Sequence, residues 1–141
     1  MQFGKADVGT NFPPDSGHDQ SGHAKDDLVP RTVVISTGGT VTFSVPPGVH
    51  QIAIYGPGTA PEDIDTSLRT TLSASAGCAG PPVVNAPLVI NDATDRVAAI
   101  PVPCFAPAQK SYTFTSPGKY LVICSFLPHF EAGMYGWVDV R

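Results

Sequence analysis

The 141-residue sequence predicts an all-β protein, an antiparallel sandwich or barrel, on three observations. Its apolar runs are short, and several alternate with polar residues at the period of two that a half-buried strand requires. Proline (15) and glycine (14) punctuate these runs from end to end, which leaves no room for a long helix. The length suits one domain with a single core.

The elements follow in order. Residues 1–30 hold Asp7, Asp15, Asp19, Asp26 and Asp27 with His18, His23 and Pro13-Pro14, and show little periodicity. They predict an N-terminal arm, loosely ordered in part. The domain proper spans residues 31–141. Residues 32–36 (TVVIS), a Gly38-Gly39 turn and residues 40–45 (TVTFSV) predict a β-hairpin. Val41, Phe43 and Val45 alternate there with Thr40, Thr42 and Ser44. A third strand over residues 49–55 follows the Pro46-Pro47-Gly48 break.

Residues 56–108 read as an insertion or irregular region, rich in Gly, Pro, Ala and Ser as far as residue 96. One helical turn is expected at residues 61–65, where Pro61 and the acids after it suit a helix start. Strands are expected at residues 97–102, 111–115 and 119–124, and the last at 134–140.

Charge narrows the function classes. A net charge of −4 with 8 Lys+Arg argues against nucleic-acid binding, which needs clustered cations facing phosphates. No run approaches 18 consecutive apolar residues, so no membrane-spanning helix is expected. Nor is there a glycine-rich phosphate loop, a zinc Cys-x₂-Cys pair or a paired-carboxylate motif.

The chemistry sits near the C-terminus. Cys124 ends a strand, His129 follows five positions later, and Met134 five after that; His50 lies far upstream at the start of another strand. Cys, two His and Met is the ligand set of a mononuclear electron-transfer copper site, a trigonal His₂Cys plane with a weak axial thioether. Sulfur donors suit Cu(I), and imidazole suits both oxidation states. Pro128 stiffens such a loop, and Gly133 permits its tight return.

In these residues the sequence resembles the cupredoxins, or blue copper proteins. Cys-x₄-His-x₄-Met is similar in spacing to the ligand loops of rusticyanin and the plant phytocyanins. The run Gly39-Thr-Val-Thr-Phe leading to Val49-His-Gln resembles the family's early strands and first ligand histidine. The resemblance implies a Greek-key β-sandwich holding one type 1 copper ion near one end, with His50, Cys124 and His129 equatorial and Met134 axial. It further implies a one-electron carrier and not an enzyme, a monomer whose redox partner proteins dock near His129. Where the family often has Asn or Ser after the first histidine, this chain has Gln51, a change in the hydrogen bonding that tunes potential.

Alternatives remain beside this reading. Copper delivery or tolerance would use the same site, with His18 and His23 as the feature that favours it. Recruitment to a larger respiratory complex through the insertion is a third possibility. A Cys124–His129 nucleophile pair lacks the basic neighbourhood that lowers a thiol pKa. Four histidines are too few for the second copper centre of an oxidase or nitrite reductase.

Cys78 and Cys104 enclose part of the insertion. They read as a disulfide worth roughly 3–4 kcal/mol, with two free thiols as the alternative. The first residues (MQFGKADVGT) show no signal peptide and read as a mature or recombinant start. The expected periplasmic or extracytoplasmic location therefore rests on the resemblance and that disulfide. Leu127 and Phe130, beside His129, are candidates for an apolar docking patch.

Overall fold

The computed structural model describes residues 1–5, 26–72, 87–104 and 106–141. In chain order its strands are β1 (Gln2–Lys5), β2 (Asp26–Val29), β3 (Thr32–Ile35), β4 (Thr40–Val45), β5 (Ile52–Tyr55) and β6 (Arg69–Thr70). They continue with β7 (Val89–Ile90), β8 (Arg96–Ile100), β9 (Ala108–Thr113), β10 (Gly118–Cys124) and β11 (Tyr135–Val140). A short helix, α1 (Leu127–Glu131), separates the last two, and a 3₁₀ turn covers Pro61–Asp63.

Two sheets form a sandwich. One is four-stranded in the order β2-β1-β4-β9, and the other five-stranded in the order β3-β11-β10-β5-β8. The chain crosses from one to the other between β2 and β3, β3 and β4, β4 and β5, β8 and β9, and β9 and β10, so the expected Greek-key sandwich is present. The two ends of the N-terminal region, β1 and β2, pair antiparallel as part of the four-stranded sheet.

Burial explains which residues form which strand. In β4 the alternation is simple: Val41, Phe43 and Val45 enter the core, while Thr40 and Thr42 face outward. Their hydroxyls meet Thr113 at 2.7 Å and Ser111 at 3.0 Å across the β4–β9 pair. β5 and β10 instead read as continuous apolar runs, because both of their faces are covered. Ile52, Ile54, Val122 and Cys124 face the sandwich interior, whereas Ala53, Tyr55, Leu121 and Ile123 join a second cluster with Ile64, Ile90 and Leu127. The excursion between β5 and β8 supplies Ile64 and Ile90, and so roofs the outer face of the five-stranded sheet.

Asp92 fastens that roof. It is 3% exposed. Its carboxylate accepts from the main-chain N–H groups of Asp65 (2.8 Å) and Thr94 (3.0 Å). These bonds, led by that from Asp65, hold its carboxyl below the ordinary value of 3.8. The Tyr55 hydroxyl donates to the Asp92 carbonyl at 2.7 Å, and burial raises the Tyr55 pKa.

One expectation fails. Residues 32–45 do not form a hairpin: β3 pairs in parallel with β11, and β4 pairs antiparallel with β9. The Gly38-Gly39 turn exists, with Gly38 at φ +85, but it hands the chain from one sheet to the other. Val33 and Ile35 pack against the same core as Val41 and Phe43, from the opposite sheet. The apolar faces thus meet through the interior and not side by side. Strand β5 also begins at Ile52, so His50 lies in the loop before it.

Candidate metal centre

Strand β10 ends at Cys124. Alternation along it points Val122 and Cys124 inward, so the thiol lies wholly buried in the sandwich core. The loop that follows is built from one helical turn. Pro128 occupies the first turn of α1, where its missing N–H costs nothing. The N–H of His129 and that of Phe130 both donate to the carbonyl of Phe126, at 3.0 and 3.1 Å. This turn brings His129 back toward Cys124, and the Phe126 ring meets the imidazole edge-on at 4.8 Å.

Gly133 ends the turn at φ +96, a conformation that glycine adopts without a Cβ penalty. The chain then reverses. The N–H of Met134 donates to the carbonyl of His129 (3.0 Å), and the N–H of Cys124 to that of Met134 (2.9 Å). Met134 is fully buried in the core cluster that contains Cys124.

His50 arrives from the other side and is 4% exposed. The main-chain N–H of Ser125 donates to the carbonyl of Gln51 at 2.8 Å, which ties the His50 segment to the residue after Cys124. Gly48, at φ +145, gives the imidazole room: a Cβ there would lie 3.3 Å from His50 Nε2.

Three donors converge. Cys124 Sγ lies 3.8 Å from His50 Nδ1 and 3.7 Å from His129 Nδ1, and the rings of the two histidines are 4.8 Å apart. Their ligand atoms all lie within 4.8 Å of one another. Typical metal–ligand lengths are about 2.0–2.1 Å to imidazole nitrogen and about 2.3 Å to thiolate. Set ~120° apart around one ion, such donors are separated by ~3.8 Å. Both sulfur–nitrogen separations therefore fit donors to a single ion shared by the thiol and the two imidazoles. His50 and Cys124 are buried while His129 is half-buried, so the site is closed except at the His129 side.

The sequence reading placed all four residues here, and the structure brings His50, Cys124 and His129 together with Met134 buried in the adjoining core. Leu127 is 5% exposed, which removes it from any docking patch. It faces the second cluster, where Phe130 is partly buried. Cys104 is buried, and Cys78 lies outside the described residues, as do His18 and His23.

Two further side chains hold the main chain around the site: Gln51, which the sequence marked as a departure from the family without indicating its partner, and Arg31, which it did not mark. The Gln51 side-chain amide grips the main chain of Val102, donating to its carbonyl at 2.9 Å and accepting from its N–H at 3.3 Å. The guanidinium of Arg31 reaches the carbonyls of Gly133 (3.2 Å) and Tyr135 (3.4 Å), on either side of Met134.

Residues 104–141 match the family model of copper-binding proteins of the plastocyanin/azurin family. No curated relative matches the chain in sequence. Among solved structures, auracyanin B is similar with a TM-score of 0.52 at 19% identity, covering 82% of this chain and 80% of its own. Auracyanin A, a "blue" copper protein from Chloroflexus aurantiacus, matches at TM-score 0.48 and 22% identity over 79% of this chain and 85% of its own. Rusticyanin from Thiobacillus ferrooxidans matches at 0.39 and 19% over 84% of this chain and 64% of its own. The likeness to auracyanin B shows a shared fold, and the model match falls on the strand, loop and strand that carry Cys124, His129 and Met134. The described residues thus share the fold of auracyanin B, residues 104–141 match the copper-binding plastocyanin/azurin family model in sequence, and His50, Cys124 and His129 form a donor group able to hold a metal ion, with Met134 buried in the adjoining core.

Proposed function

We propose that the protein is a one-electron carrier that holds a single type 1 copper ion between redox partners. His50, Cys124 and His129 are the equatorial ligands, and Met134 is the axial one. The observation that carries this reading is the convergence of a buried thiol and two imidazoles at 3.7 and 3.8 Å. Bound there, copper supplies a one-electron Cu(II)/Cu(I) couple tuned by the axial ligand.

The chain's own residues do the rest. Burial of Cys124, His50 and Met134 excludes water from three sides. Main-chain bonds from Cys124 to Met134, Met134 to His129 and Ser125 to Gln51 hold the ligands where either oxidation state finds them, which keeps rearrangement small. His129, half-buried at the mouth, is the edge through which a partner exchanges the electron. No substrate bond is made or broken, so the protein is a carrier and not an enzyme. The family resemblance supports an extracytoplasmic, monomeric carrier, as does a disulfide between Cys78 and Cys104, read from their enclosing part of the insertion. Copper delivery is the less favoured use, because the donors are closed in on three sides.

Titration of the metal-free protein with Cu(II), read by visible absorption, tests the proposal. One equivalent should produce an intense thiolate-to-copper band that ascorbate bleaches and an oxidant restores. Cys124→Ser should abolish it. Weak colour, or tight binding that survives Cys124→Ser, rules out the carrier reading.

A further inference from the structure

We infer that Arg31 is a positioning residue for the axial ligand and holds the reduction potential of the site up through its charge. The inference rests on the copper reading above and concerns a residue outside the ligand set. Arg31 lies just before β3, and its own carbonyl accepts from the N–H of Trp137 in β11 at 2.7 Å. So anchored, its guanidinium reaches the carbonyls of Gly133 and Tyr135. It also lies over the Tyr135 ring, 5.3 Å from the centroid.

Those two carbonyls bracket Met134. The peptide groups of Met134 itself are engaged with His129 and Cys124. With Arg31 in place, the main chain is fixed before, at and after the axial residue. A planar fork of donors spans two carbonyls, which the single ammonium of lysine does less well. The clamp comes from the segment that enters β3, and so ties the edge strand beside β11 to the ligand loop.

The charge has a direction of its own. Uptake of one electron lowers the positive charge of the site by one. A permanent cation held on the main chain around Met134 therefore favours the reduced state, more strongly in a half-buried setting than in water. Loss of that cation should lower the midpoint potential. Loss of the fork should loosen the loop whatever the charge.

Two measurements on the full-length protein separate these parts: a redox titration of the copper-loaded form, and amide hydrogen exchange over residues 125–141 of the protein as purified. Arg31→Gln should shift the Cu(I)/Cu(II) ratio at fixed potential about tenfold toward Cu(II), ~59 mV for one electron. Its loop amides should also exchange about tenfold faster, as expected where local opening is eased. Arg31→Lys should keep most of the potential while its loop exchange still quickens. Wild-type potential or wild-type loop exchange in Arg31→Gln overturns the proposal, whatever the melting temperature. Where Arg31→Gln does not fold, Arg31→Lys decides by the same exchange readout, and unchanged rates overturn the proposal. Failure of the unaltered protein to take up copper would sink the carrier reading instead, a result distinct from either variant's behaviour.

Discussion

The main-chain N–H of Cys124 donates to the carbonyl of Met134 at 2.9 Å, so the ligand loop is closed at its neck by the two residues that supply sulfur. Their separation is set by sheet geometry, since β11 begins at the next residue and pairs with β10 from Ile123↔Tyr135 onward. The strand pair holds the sulfurs, and the helical turn between them holds His129.

Exchange of the thioether for a harder donor should move the couple. In Met134→Gln an amide oxygen replaces sulfur and favours Cu(II), so the midpoint potential should fall. The amide also enters a wholly buried position, at a cost of about 1–3 kcal/mol. Spectroelectrochemistry and a thermal melt read the two effects. An unchanged potential would remove Met134 from the ligand set.

Room for His50 depends on Gly48. In Gly48→Ala a Cβ is forced onto φ +145 and against Nε2 of the imidazole at 3.3 Å. Displacing a ligand ring through its surroundings commonly weakens metal binding by about 10–100-fold. Competition against a chelator of known affinity measures the loss, and retention of full affinity would show that the ring has space to turn.

Gln51→Ala should destabilise the fold by about 1–3 kcal/mol. It leaves the peptide groups of Val102, a residue with 0% exposure, without their side-chain partner. Urea unfolding reads this directly. Gln51→Glu should be nearly as costly, because a carboxylate cannot donate to the Val102 carbonyl.

Asp92 predicts an acid-side dependence. Its folded-state carboxyl titrates below 3.8, so the stability it contributes is fully present above that value. That contribution is lost as pH falls through the depressed folded value. Asp92→Asn keeps one acceptor oxygen for two N–H donors and turns its NH₂ toward the other. The variant should be less stable by about 1.5–3 kcal/mol at pH 7, with the gap closing below about pH 4. A gap that stays constant from pH 7 to pH 3 would exclude this role for Asp92.

The metal centre was largely legible because its information is local. Cys124, His129 and Met134 lie on one loop, and residue chemistry restricts what such a trio with His50 can hold. Strand pairing was less legible. The alternation in residues 40–45 shows which face of β4 is buried, yet it cannot say which strand lies alongside, and the glycine turn suggested a neighbour in sequence. The true partners are distant, β9 for β4 and β11 for β3. The unbroken apolar run of Leu121, Val122 and Ile123 did carry a signal of two-faced burial, which the roof of Ile64 and Ile90 now explains. Arg31 left no trace, and Gln51 stood out only by its departure from the family's residue, because each binds main-chain groups that look alike at every residue.

Strand β10 lies between β5 and β11 with its residues packed on both faces. Its amides can meet water only when the sheet comes apart, so they belong to the last part of the molecule to open. The peptide groups of α1, a five-residue helix with only Leu127 buried, should open at lower cost. Metal should therefore enter and leave by fraying of the His129 turn while Cys124 stays seated, and chelation should run orders of magnitude faster than unfolding.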